Sequence, residues 1–148
     1  MKRTDTDAVS AALVEVRSVY AELAARPIER NCLRSKECCH FKLTGRTPFL
    51  TKGEALVVAK AVRATGRTRL PDSVDGACPI FDKTSGNCLV YENRPFGCRT
   101  HFCAAAGGPY SRREVVDLIR RLEDVDAKLG GDGPRTLVSA VTDALAEL

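Results

Sequence analysis

Apolar side chains recur at spacings of three and four along residues 5–26, where Val9, Leu13, Val16, Tyr20 and Leu23 share one face. That period predicts an amphipathic helix, which Asp5 or Thr6 can cap and Pro27 closes. A second helix is expected from Thr51. The run Thr51-Lys-Gly-Glu54 has the form of a capping box, in which the Thr hydroxyl and the Glu carboxylate serve opposite backbone donors. This helix should reach about Thr65 and stop at Gly66. Ser111-Arg-Arg-Glu114 repeats the form and opens a third helix, with Val115, Leu118, Ile119, Leu122, Val125 and Leu129 on one face and Gly130-Gly131 at its end. Pro134 suits the first turn of a last helix carrying Leu137, Val138, Val141, Leu145 and Leu148.

Between the helices the pattern changes. Residues 30–47 are charged and irregular, with a turn expected at Gly45, and residues 67–77 read as a loop. The short runs Cys78-Pro-Ile-Phe81 and Cys88-Leu-Val-Tyr91 flank turn residues Asp82 to Asn87 and predict a small β-hairpin over 77–91. Arg94-Pro95 ends it, and the cysteines that follow are expected in loop. The expected fold is mostly α, about four helices, with a loop-rich cysteine cluster and one small β-hairpin. A single domain over 1–148 is expected, with the cysteine core at about 30–105 and the helices 5–26 and 111–148 as scaffold.

Apolar residues make up 44% of the chain, enough to build a core, so the cysteines are not needed to rescue a chain too small to fold. Aromatic residues are only 5%, which leaves little material for stacking single-stranded nucleic acid. Residues 26–70 hold eleven Lys or Arg against three acids. Such a region is either a basic patch for an anionic partner or a solvated helix face that offsets clustered thiolates. No segment approaches the ~20 consecutive apolar residues of a membrane span. The start Met-Lys-Arg-Thr-Asp-Thr-Asp turns polar instead of entering an apolar core, so no signal peptide is expected. A cytoplasmic location follows, and with it reduced thiols.

The cysteines are the most unusual feature. Seven fall in two clusters: Cys32, Cys38 and Cys39, then Cys78, Cys88, Cys98 and Cys103. An odd number argues against a disulfide framework. Their neighbours are charged residues, Pro and Gly more often than apolar residues, as expected of loops that can bring soft, anionic ligands to one point. Cys78 and Cys88, each beside a hydrophobic run, come nearest to ordinary core thiols. No C-x2-C knuckle of the usual zinc ribbon is present, and Cys78-Pro79 has the form found at iron–sulfur ligands. Seven thiols exceed the four that one cluster requires, and with one His they nearly suffice for two zinc ions. His101, between Cys98 and Cys103, is a candidate extra ligand; His40 reads better as a neighbour of the site.

These residues resemble a family of bacterial and archaeal cysteine-cluster proteins described as zinc- or iron-chelating. Its hallmark is C-x2-C-x2-C-C, then Cys-Pro, then C-x2-Y-x2-R-P-x2-C-R. Cys32, Cys38 and Cys39 match the first part, Cys78-Pro79 the middle, and Cys88, Tyr91, Arg94-Pro95 and Cys98-Arg99 the last. The family includes flagellin lysine N-methylases, in which the motif is thought to hold an iron–sulfur centre. The resemblance implies a metal centre with Tyr91 packed or hydrogen-bonded beside it, and with Arg94 and Arg99 donating to thiolate sulfur or backbone carbonyls. The second cysteine of the hallmark is Ser35 here, a poor ligand for a soft metal, and Cys103 is expected near it as a replacement.

The reading that follows is a metal-binding protein with an iron–sulfur cluster or Zn2+, the former favoured, and no evident catalytic machinery. Its helices could offer a surface to a protein partner. A methyltransferase or redox enzyme is the competing reading, but there is no Gly-rich strand-to-helix loop, no Ser/His/Asp arrangement and no C-x2-C dithiol. Nucleic-acid binding through Lys60, Arg63, Arg67 and Arg69 is a third, without aromatic readers to support it.

Overall fold

Amphipathic helices packed around one helix buried on all sides through its first two turns build the scaffold. The computed structural model describes residues 6–26, 48–70, 78–82, 87–88, 90–100 and 112–148. In chain order its elements are α1 (Thr6–Ala25), β1 (Phe49–Leu50), α2 (Lys52–Ala64), β2 (Phe81–Asp82), β3 (Asn87–Cys88), a 3-10 turn (Tyr91–Asn93), α3 (Phe96–Thr100), α4 (Arg112–Lys128), β4 (Arg135–Thr136) and α5 (Leu137–Glu147). The fold is mostly helical with a short hairpin, as the periodicity predicts, and α3 makes a fifth helix among the described residues.

α2 is the central element. Gly53 to Ala59 and Val62 are all buried, and α2 packs against α1, α4 and α5, while α1 also packs against α4. Close approach at its start depends on Gly53. A Cβ there would lie 2.7 Å from Val125 Cγ1 and 2.9 Å from Val16 Cγ2, so any side chain would force α1 and α4 apart. The predicted apolar faces of α1 and α4 are buried as expected, with Val9 and Ile119 partly covered. Gly66, at φ 91°, and Gly130, at φ 76°, follow α2 and α4 in the left-handed conformation that glycine adopts without steric cost.

The last helix departs from expectation. Pro134 is not in its first turn: α5 begins at Leu137 after the N-cap Thr136. The two residues before it instead pair antiparallel with β1, Phe49 opposite Thr136 and Leu50 opposite Arg135, and Leu137 donates its N–H to the Pro48 carbonyl at 3.0 Å. The buried face is Leu137, Ala140, Val141, Ala144 and Leu145. Small alanines let α5 sit close to α2, and Val138 and Leu148 turn outward, 45% and 38% exposed.

Among the described residues the hairpin is shorter than predicted. There β2 and β3 pair Phe81 with Cys88 and Asp82 with Asn87, and residues 78–80 and 90–93 are not strand. Pro79 cannot donate to a ladder, and the Asn93 N–H turns back to the Val90 carbonyl at 2.7 Å. Cys98 lies in α3 and not in loop.

Surface ion pairs join the helices. Arg121 of α4 reaches Glu15 and Glu22 of α1, and Arg26 reaches Asp117. In the basic region Lys52 pairs with Glu147 at 3.2 Å and Arg63 donates to the Leu148 carbonyl at 2.8 Å, whereas Lys60, Arg67 and Arg69 are exposed. Among the described residues no helix is long and apolar enough to cross a membrane.

Candidate metal centre

Cys78, Cys88 and Cys98 carry thiols and reach the scaffold by different routes. Cys78, 7% exposed, belongs to the hydrophobic core with Ile80 and Val90. Cys88 ends β3 and is half-buried against the same core. Cys98 is half-buried in α3. Cys32, Cys38, Cys39, Cys103, His40, His101 and Ser35 lie outside the described residues. So do the expected meeting of the two clusters and the expected approach of Cys103 to Ser35. Among the described residues no three His, Cys, Asp or Glu side chains gather into a metal site.

The setting of Cys98 is the best-defined part. Pro95 is fully buried and Phe96 is 7% exposed, so the start of α3 is sunk into the core. The Pro95 carbonyl accepts the N–H groups of Cys98 at 3.0 Å and Arg99 at 3.2 Å. The Phe96 N–H, an orphan donor of a helix start, goes to Glu54 Oε1 at 2.7 Å. The same oxygen accepts the Tyr20 hydroxyl at 3.1 Å. Glu54 Oε2 accepts the Thr51 N–H and the Thr51 hydroxyl, each at 3.0 Å, within the predicted capping box. Four uncharged donors thus converge on its two oxygens. Burial nevertheless pushes the Glu54 carboxyl above its usual range, and these hydrogen bonds oppose that shift.

Arg99 occupies the other end of α3. Its Nε donates to the Arg94 carbonyl and its Nη2 to the Glu92 carbonyl, both at 2.7 Å. Its guanidinium lies 4.0 Å from the centroid of the Tyr20 ring, within reach of a cation–π attraction. Burial draws the Arg99 guanidinium below its ordinary value. Tyr20 is held well above its own, first by burial and then by the Glu54 charge. A thiolate at Cys98 would push both groups upward, the smallest of the influences on each.

Arg94 is half-buried beside this arrangement, and the backbone of Tyr91 opens the 3-10 turn. The sequence singles out Arg99 but assigns Tyr20 only to an apolar face and Glu54 only to a helix cap. A tyrosine on a buried face needs a partner for its hydroxyl, and that was the available signal. Nothing local announces that Phe96 would be the other donor to Glu54.

Residues 31–118, a span that contains all the cysteines, match the sequence model of the family described as "CxxCxxCC: Putative zinc- or iron-chelating domain". Neither a curated protein nor a solved structure matches the chain. Soft sulfur ligands suit the chemistry of that description.

Proposed function

Because the chain belongs to the CxxCxxCC zinc- or iron-chelating family, we propose that it holds its metal through thiolates of both cysteine clusters, as an iron–sulfur cluster in preference to zinc. The observation that carries this reading is the ordered run Cys78-Pro79, Cys88-x2-Tyr91-x2-Arg94-Pro95-x2-Cys98-Arg99 inside the matched span. The ligands are drawn from Cys32, Cys38, Cys39, Cys78, Cys88, Cys98 and Cys103, with His101 as the nitrogen alternative. When bound, an iron–sulfur cluster would supply one-electron redox chemistry and zinc a redox-inert crosslink. Arg99, held beside Cys98, offsets thiolate charge in either case. The protein on this reading stores, delivers or senses metal and has no catalysis of its own.

Anaerobic purification with iron, zinc and acid-labile sulfide analysis tests it. A brown protein absorbing near roughly 400 nm is expected for the cluster; a colourless protein loaded with zinc moves the assignment to the second metal. Protein free of iron, sulfide and zinc rejects the reading. Ser35 sharpens the ligand set. If Cys103 stands in for the cysteine the hallmark has at that position, Cys103→Ser loses metal and Ser35→Cys restores it in the double variant.

A further inference from the structure

We propose that Glu54 and Tyr20 are positioning residues for Cys98, fixing the two ends of α3 and the Arg99 guanidinium so that the thiolate is presented to the metal already oriented. The inference rests on the reading that Cys98 is a ligand.

A five-residue helix cannot hold its own shape in water. The direction of Cys98 must therefore come from what α3 is attached to. At its first residue the attachment is the Phe96 N–H on Glu54 Oε1 at 2.7 Å, flanked by the buried Pro95 and Phe96 side chains. Towards its end the attachment is Arg99, laid over the Tyr20 ring at 4.0 Å and bonded to the carbonyls of Glu92 and Arg94. The Tyr20 hydroxyl closes the circuit on the same carboxylate oxygen at 3.1 Å. Cys98 lies between the two anchored residues.

The division of labour within Glu54 separates this role from helix capping. Its Oε2 takes both Thr51 donors and completes the cap of α2. Its Oε1 takes only donors from outside α2, namely Tyr20 of α1 and Phe96 of α3. A residue required only as a cap would leave that oxygen to solvent.

Asp126 supplies the matched control. It is 4% exposed and also serves the first turn of α2, but its donors are the Lys52 N–H at 2.7 Å and the Gly133 N–H at 2.9 Å, neither of them in α3. The experiment is an anaerobic titration of the full chain with Co2+, read by thiolate-to-metal and ligand-field absorption, and with Zn2+ against a chromophoric chelator. Wild type, Glu54→Gln, Tyr20→Phe, Tyr20→Leu, Cys98→Ser and Asp126→Asn are compared at a temperature where far-UV circular dichroism shows each folded.

Glu54→Gln is expected to weaken Zn2+ binding about ten- to a hundredfold and to shift the Co2+ bands, as loss of a supporting partner does at metal sites. Tyr20→Phe keeps the ring beneath Arg99 and should lose less than Tyr20→Leu. Asp126→Asn should keep the wild-type spectrum and an affinity within about twofold, since its site is independent of the metal. Wild-type affinity and spectra in Glu54→Gln and Tyr20→Leu overturn the inference, as does an equal loss in Asp126→Asn. If Glu54→Gln does not fold, the ranking of the two Tyr20 variants decides. Metal binding by wild type that Cys98→Ser leaves unchanged also overturns it, while the family reading stands. Wild type that takes up neither probe and holds no iron rejects the metal reading itself.

Discussion

Glu54 and Asp126 are both buried carboxylates set against the first turn of α2, 2% and 4% exposed, yet they face different parts of the molecule. Asp126 comes from α4 and gathers the N–H groups of Lys52 and Gly133, so it fastens the loop after α4 to the start of α2. Gly131 in that loop packs so closely against the carboxylate that a Cβ would collide with it. Glu54 comes from α2 itself and reaches outward to Tyr20 and the cysteine-bearing α3. In both places converging donors satisfy the oxygens of a buried carboxyl group. Burial alone does not distinguish the scaffold clamp from the strut beneath the proposed metal ligand; the identity of the donors does.

The comparison can be broken most severely at Glu54. Glu54→Ala leaves the Phe96 N–H and the Tyr20 hydroxyl buried without their acceptor, at an expected cost of about 3–4 kcal/mol in urea unfolding. A cost under about 1 kcal/mol would mean that solvent reaches these donors. Asp126→Ala should cost about 2–3 kcal/mol by the same measure, with Zn2+ affinity retained. Gly131→Ala leaves the Asp126 carboxylate in place but pushes on it, and should lose about 1–3 kcal/mol through overpacking; a neutral result would show that the loop simply moves aside.

A finer contrast comes from pH. Because burial raises the Glu54 carboxyl in the folded state, folded protein holds that proton more tightly than unfolded protein does. Its contribution to stability is therefore greatest at low pH and declines as pH rises from the ordinary glutamate range through the raised value. The stability profile of Glu54→Gln should lack that decline, and parallel profiles would refute the assignment. The smallest effect is expected at Asp117, which the Arg26 hydrogen bond holds below the usual aspartate range on the exposed surface. Its contribution is present at neutral pH and is lost as pH falls through the depressed value. Asp117→Asn should change the unfolding midpoint only slightly, and not at all in high salt.

Legibility followed element length. The long helices α1, α2 and α4 repeat their apolar period often enough to be read, and the Thr51–Glu54 cap marks the start of α2. α3 is too short for any period to show, and a run beginning Arg94-Pro95 looks like a loop. The β1–β4 pairing joins two-residue strands far apart in the chain, without local pattern. Asp126 looks like one more polar position of α4, because its partners come from α2 and from the Gly130–Gly133 loop. At the candidate site, residue types and order revealed the chemistry and the family. The supporting contacts of Tyr20 and Glu54 depend on donors 34 and 42 residues away from the carboxylate.

Pro48 has a bearing on how metal would come and go. Its carbonyl holds the start of α5, and its ring lies beside Gly97, so the point where the chain leaves the first cluster touches the helix that carries Cys98. Cys39 is nine residues upstream of Pro48, a tether of at most about 30 Å. On the proposed reading, first-cluster sulfurs on so short a tether would meet Cys98 at an effective molarity in the millimolar range. Because α3 is fixed by Glu54 and by its contact with Pro48, release of a bound ion would leave Cys98 in place to be filled again.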